Sequence, residues 1–244
     1  LGPVWTLGPS FRAEKSRTLR HLAEYLHLEA EAPWICLNDL FSIQEKLLVN
    51  LIGHVTKVRN EELEFLKRDV LSLNQIKEPF DKLSYSQAIE ILSSMDIQVQ
   101  DGEEIRKIEW GDDLNIDSEK ALTKDRTNPV FVHGYPLQVK PFYVKEDPET
   151  PGIALTTDLL LPNGFGEVSS GGMREDNITS LKSRIEKEGL NMNSYSWYLD
   201  LRKYGSVPHG GFGIGIERLV RWITNLEDIK DCVLFPRTMA RLNP

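Results

Sequence analysis

Cysteine is scarce in this chain of 244 residues: Cys36 and Cys232 stand far apart, without zinc-type spacing. That excludes a disulfide scaffold or a cysteine-bound metal, and the expectation is two reduced, structural thiols in a cytosolic protein. Long apolar runs are missing as well, since none approaches the roughly 18 residues that cross a bilayer. No basic-then-apolar leader is visible, so a cytoplasmic, membrane-free protein is expected. The chain starts at Leu1 rather than Met, and an upstream segment is expected to be absent from it. Positive charge is also short: 29 Lys and Arg against 37 Asp and Glu give a formal net charge of -8. Such a balance argues against a broad, nonspecific nucleic-acid surface. It leaves room for a local basic cluster, which Lys15, Arg17 and Arg20 supply. No internal repeat or low-complexity segment is found.

What is present is ordinary for a soluble enzyme, with 40% hydrophobic and 27% charged residues. The length suits one large domain or two small ones. Residues 4–31 read as a β-hairpin. On its second arm Leu22, Leu26 and Leu28 share one parity, and His21, Tyr25, His27, Glu29 and Glu31 share the other. On its first arm Arg12 and Glu14 lie on one face and Phe11 and Ala13 opposite. The ionisable face is either a site or the polar side of a half-exposed strand. Helical spacing from Asn38 to about Leu66 predicts a core helix, with Asn38 as N-cap and Gly53 as a bend or break. A second helix is predicted from Ser84. Residues 68–83 and 96–117 read as connections. Strands are predicted at Val130–Val132, Val139–Val144 and Ile153–Leu161. Asp176 is expected to cap a helix ending near Gly189, and Tyr198–Lys203 to form a helical turn before a final strand and helix. The sum is a single antiparallel α+β domain rather than a βαβ array.

Gly211-Phe212-Gly213-Ile214-Gly215 lacks the last glycine of a dinucleotide fingerprint, and no Gly-Lys-Ser/Thr follows. It reads better as a strand whose missing side chains let a flat ligand approach the backbone. Arg218 falls in the first turn of the helix that follows, a poor place for a cation unless an anion binds there. Otherwise it is a surface arginine. Arg12 and Arg218 together make adenylyl transfer feasible: ATP held between two guanidiniums would expose its α-phosphate to a carboxylate, without a covalent protein nucleophile. Asp158 and Glu167 are candidate hard-oxygen ligands, or else solvated carboxylates.

Two stretches carry a resemblance. Phe11-Arg12-Ala13-Glu14-Lys15-Ser16-Arg17-Thr18-Leu19-Arg20-His21-Leu22 and Pro208-His209-Gly210-Gly211-Phe212-Gly213-Ile214-Gly215-Ile216-Glu217-Arg218-Leu219 resemble motifs 2 and 3 of the class II aminoacyl-tRNA synthetases. The likeness continues through Trp110-Gly111-Asp112-Asp113-Leu114, Lys140-Pro141-Phe142-Tyr143, Tyr198-Leu199-Asp200-Leu201-Arg202 and Phe235-Pro236-Arg237-Thr238. Within the class it is closest to asparaginyl enzymes of archaeal or eukaryotic type.

The resemblance implies an antiparallel sheet flanked by helices. Motif 2 would lie near 4–31, the metal and amino-acid segment near 153–175 and motif 3 near 205–226. It implies ATP- and Mg²⁺-dependent activation of asparagine, then transfer to the tRNA acceptor end. Arg12 would meet the α-phosphate and the substrate carboxylate, and Arg218 the adenine and γ-phosphate. Arg20 and His21 would lie near the outer phosphates. Tyr25 would stack under adenine, where the family usually has Phe. Asp158, Glu167 and Ser170 would hold Mg²⁺, with Glu167 also on ATP. Arg174 would grip the substrate side chain. Glu14 would accept the asparagine NH₂, or alternatively touch ATP or the tRNA end. His209 would contact substrate or hold the glycine-rich turn. Motif 1, which builds the family's homodimer, and the anticodon-binding barrel are expected to lie outside these residues.

Ser169-Ser170-Gly171-Gly172 departs from the asparaginyl pattern toward an archaeal aspartyl one. Rival readings are therefore an aspartyl-specific or amidating relative, and a non-catalytic paralogue that binds ATP or a partner.

Overall fold

A computed structural model describes residues 2–13, 18–101 and 104–241. The chain opens with strands β1 (Val4–Phe11) and β2 (Glu24–Pro33), then helices α1 (Leu37–Val58), α2 (Asn60–Phe65) and α3 (Val70–Asn74). Next come β3 (Asp81–Ser84), α4 (Tyr85–Ser94), the small hairpin β4 (Gln98–Asp101) and β5 (Glu104–Lys107), α5 (Ile116–Thr123) and β6 (Val130–His133). The remainder holds β7 (Thr156–Leu161), β8 (Gly166–Met173), α6 (Ile178–Lys187), α7 (Ser196–Lys203), β9 (His209–Gly215) and α8 (Ile216–Thr224). Seven strands form one sheet in the order β1-β2-β9-β8-β7-β6-β3. All its pairings are antiparallel except β3 with β6.

Alternation decides which face is core. Phe212 and Ile214 of β9, Leu159 and Leu161 of β7, and Phe131 of β6 point to one face. There they meet Leu40, Phe41, Leu48 and Ile52 of α1 and Leu219, Trp222 and Ile223 of α8. On the opposite face, α4 and α5 cover only the β6–β7 end, packing on Val130, Val132 and Leu160. The rest of that face, over β2, β9 and β8, stays open and carries ionisable side chains. The sheet is thus a platform with one sealed side and one half-open side.

Several expectations are corrected. Helix α1 starts at Leu37, because the Asp39 carboxylate accepts the Cys36 N–H at 2.8 Å and fixes the turn before Asn38. Gly53 lies inside α1 without breaking it, and the helix yields at Arg59 instead. Leu26, on the apolar parity of the hairpin, is nonetheless 43% exposed. It belongs to the edge hairpin, opposite Pro9, beyond the part of the sheet that α1 covers. Residues 139–144 form no strand: a 3₁₀ turn at Leu137–Val139 is followed by a lone bridge from Val144 to Arg174. Asn177, not Asp176, caps α6 by accepting the Thr179 and Ser180 N–H groups, while Asp176 pairs with Lys145. The stretches read as connections contain α3, β3 and the β4–β5 hairpin, and α5 begins at their edge. Both thiols are free: Cys36 is exposed, and burial pushes Cys232 up to about 11.

Candidate active site

The open face forms a cavity of about 820 Å³ whose walls include Arg12, Arg20, His21, Tyr25, Glu167, Ser170, Arg174 and Arg218. Eight of the sequence candidates therefore share one chamber, although the first and last of them lie at opposite ends of the chain. The register explains this. β9 lies between β2 and β8, so the second arm of the hairpin, the strand that carries Glu167 and Ser170, and the glycine-rich strand are lateral neighbours. Arg218 reaches in from the first turn of α8, directly after β9. Asp158 lies just behind the wall, and Glu14 falls outside the described residues.

One end of the cavity is an amide-sized pair. The Arg174 guanidinium donates through Nε to Glu31 Oε1 at 2.9 Å, and Nη2 reaches the same oxygen. Tyr143 lies under the guanidinium, 5.4 Å from ring centre to Cζ. The second Glu31 oxygen is buried and has no hydrogen-bond partner among the described residues. An orphan carboxylate oxygen beside a cation is costly, and it is the kind of atom a ligand N–H would satisfy. Glu31 was not singled out from the sequence, but its parity in the hairpin already placed it on the ionisable face with Tyr25, His27 and Glu29. His209 supports the same end: its carbonyl accepts the Arg174 N–H at 2.9 Å, while its ring nitrogen Nδ1 lies 2.8 Å from the Val207 carbonyl. Both contacts hold the turn.

The other end gathers charge. Arg218 Nη1 donates to the Glu167 carboxylate at 2.8 Å and to its carbonyl at 3.1 Å. Arg20 is buried, and its Nη2 donates to Glu119 Oε2 of α5 at 2.7 Å. The same oxygen accepts the Glu167 N–H at 2.7 Å. Burial pushes Glu119 up to about 7, with Arg20 pulling the other way. Arg12 stands over the Tyr25 ring, 5.4 Å from its centre. His21 Nδ1 lies 2.7 Å from the Thr18 hydroxyl. Glu217, buried in the first turn of α8, accepts the Leu26 N–H with both oxygens, at 2.9 and 3.1 Å, and so ties that helix to β2.

Asp158 accepts from Ser170 Oγ at 2.6 Å and from Lys140 Nζ at 2.8 Å. Burial alone would lower the Lys140 ammonium, but Asp158 and Asp113 hold it above the ordinary lysine range. Burial and the Asp158 charge likewise raise Tyr135 well above a usual phenol. Ser169, the neighbour of Ser170, points to the opposite face and donates to Gln44 of α1 at 2.8 Å. Half of the serine pair that set this sequence apart is therefore a core contact.

Gly171, Gly213 and Gly215 line the chamber. A Cβ on Gly213 would lie 2.3 Å from His27 Nε2, and one on Gly211 would lie 2.2 Å from the Ala30 carbonyl. The bare strand expected from the sequence is there. In this structure the space above it is filled by side chains of β2.

Among known proteins, the family model described as tRNA synthetases class II (D, K and N) matches residues 1–239. The asparagine–tRNA ligase of Pyrococcus abyssi is 48% identical over 244 residues, which is all of this chain and 54% of that relative. The crystal structure of asparaginyl-tRNA synthetase from Pyrococcus horikoshii complexed with asparaginyl-adenylate superposes with a TM-score of 0.94 at 47% identity. It too is covered to 54%, against 100% of this chain. An aspartyl tRNA synthetase from Entamoeba histolytica shares 30% identity and a TM-score of 0.84, with 49% of its chain covered. The chain thus spans about half the length of the relatives it matches.

Proposed function

The chain belongs to the class II tRNA synthetases (D, K and N), and we propose that it carries the catalytic part of an asparagine–tRNA ligase. It would join asparagine to ATP as asparaginyl adenylate, releasing pyrophosphate, and pass the aminoacyl group to the tRNA acceptor end. A cytoplasmic location, and a homodimer where motif 1 is present, go with that reading.

The observation that carries the choice of amino acid is the Arg174–Glu31 pair. A carboxamide offers one acceptor and two donors, matching an arginine beside a carboxylate with a spare buried oxygen. Aspartate would present a negative oxygen to Glu31 instead, so the pair repels it as well as failing to bond it. This moves the role weighed for Glu14 to Glu31. Ser169 gives no support to an aspartyl reading, since it is spent on Gln44.

For the chemistry, Arg12 beside Tyr25 and Arg218 beside Glu167 bracket the cavity. Two cations on the walls of one cavity suit a polyphosphate, and charge developing on the α-phosphate would be stabilised by fixed donors. Tyr25 offers a ring for adenine, and His21 lines the same wall. The donor set suits Mg²⁺, which is held by one or two carboxylates plus phosphate oxygens: Glu167 and Asp158, with the Ser170 hydroxyl opposite Asp158 and bonded to it. When bound, the ion would neutralise the phosphates. Until then Arg218 and Lys140 neutralise the two carboxylates.

The test is ATP–pyrophosphate exchange with asparagine and with aspartate, for the native chain and for Glu31→Gln. Native exchange should be driven by asparagine alone. Glu31→Gln should lower the asparagine kcat/KM by roughly tenfold to a hundredfold, the worth of a hydrogen bond to a charged group, and narrow the gap to aspartate. Exchange driven by aspartate in the native chain would transfer the assignment to the aspartyl or amidating rival. Silence with both amino acids would favour the non-catalytic paralogue.

A further inference from the structure

Glu119 is a buried carboxylate on α5 to which neither the sequence motifs nor the reaction above gives a part. Its Oε2 takes two donors from segments far apart in sequence, Arg20 Nη2 and the Glu167 N–H, each at 2.7 Å. Arg20 Nη2 is also within 3.4 Å of the Glu167 carbonyl, the oxygen to which Arg218 donates. The main chain of Glu167 is therefore clamped on both sides, and its carboxylate is left to Arg218. The fit is tight. A Cβ on Gly166, which itself has φ +74°, would come within 2.5 Å of Glu119 Oε2 and 2.7 Å of Arg20 Nη1. Nothing larger than glycine leaves room for the pair.

Without the Glu119 charge, Arg20 would be a buried cation lacking its partner. Another carboxylate within its surroundings is that of Glu167, whose main chain it already touches. A swing of Arg20 onto that carboxylate would compete with Arg218 and with any cation that Glu167 serves.

We propose that Glu119 is a positioning residue for the nucleotide half of the site, holding Arg20 away from the Glu167 carboxylate and fixing the Glu167 backbone. This rests on the reading of the cavity as an ATP site. Arg20 is then a structural cation of the motif 2 turn rather than a phosphate ligand. The Arg174–Glu31 end uses none of these contacts and serves as an internal control.

The experiment is titration calorimetry of MgATP and, separately, of asparagine, on the native chain, on Glu119→Gln and on Glu119→Gln with Arg20→Gln. Glutamine keeps the size and one acceptor oxygen, and the double variant also removes the unpaired cation, so only the single variant has to tolerate a buried charge. Glu119→Gln should weaken MgATP about tenfold and leave asparagine within about twofold. The double variant should recover part of the MgATP loss, the non-additivity expected of coupled neighbours. Parallel loss of both ligands with a lower Tm would overturn the proposal in favour of a purely structural role. Unchanged MgATP affinity would overturn it as well. A double variant weaker than the single one would show that Arg20 meets the nucleotide itself and would also overturn it. A selective MgATP effect in a chain that supports no asparagine-dependent exchange would keep the proposal and sink the functional reading. A native chain that binds no MgATP would sink both.

Discussion

At the scale of single residues, two glycines two positions apart on β9 do different jobs. A methyl on Gly211 would meet backbone, the Ala30 carbonyl at 2.2 Å, whereas a methyl on Gly213 would meet only the His27 imidazole at 2.3 Å. Backbone in a paired strand cannot step aside, but a side-chain ring can rotate. Gly211→Ala is therefore expected to destabilise the fold by about 2–3 kcal/mol, at the upper end of overpacking costs. Gly213→Ala should cost less than about 1 kcal/mol while pushing His27 into the cavity and weakening ligand binding. Urea unfolding of both variants checks the contrast, and equal losses would contradict it. The same scale shows what could be read in advance. The hairpin's parity placed Tyr25, His27, Glu29 and Glu31 on one face because a strand has period two. It could not say that Glu31 would end beside Arg174. That depends on β9 and β8 lying next to β2, a pairing between distant parts of the chain.

At the scale of elements, legibility followed the apolar stripe. Helices α1, α4 and α8 each present apolar residues at helical spacing, and the sequence located the start of each to within a residue or two. Helix α5 was missed because its buried positions include Ser118, Glu119 and Thr123, leaving Leu122 as the apolar member. A helix buried through polar contacts leaves little periodic signal. The expected strand at 139–144 failed for a related reason: β7 already has β6 and β8 as its two neighbours, so a further apolar run finds no partner. Helix α8 supports a prediction of its own. Trp222 is 1% exposed in the main core, yet its indole N–H has no partner among the described residues. Trp222→Ala should cost roughly 3–5 kcal/mol through the cavity it leaves. Trp222→Phe should cost under about 1.5 kcal/mol, because it removes a buried donor whose desolvation is itself worth about 1–3 kcal/mol. Chemical denaturation of the two variants measures the difference. A phenylalanine variant as unstable as the alanine one would show that the N–H is satisfied in solution.

At the scale of the whole molecule, the site is a joint between the two ends of the chain. Arg12 precedes β2, Arg218 opens α8, and Glu167 and Arg174 sit on β8 between them, all on one cavity. A ligand filling that cavity touches segments that separate on unfolding, so binding energy should appear as global stability. A non-hydrolysable asparaginyl adenylate analogue at a thousand times its Kd should add about 4 kcal/mol to the unfolding free energy, by mass action alone. The aspartyl analogue at the same concentration should add much less, because its side-chain carboxylate faces Glu31. Glu31→Gln removes that opposing charge, and the two analogues should then stabilise the chain by similar amounts. The comparison reads selectivity without turnover, so it applies even where aminoacylation needs parts of the longer relatives that this chain does not span. Equal stabilisation by both analogues in the native chain would show that the Arg174–Glu31 pair does not choose the amino acid, and that choice would then rest on residues beyond the cavity's amide end.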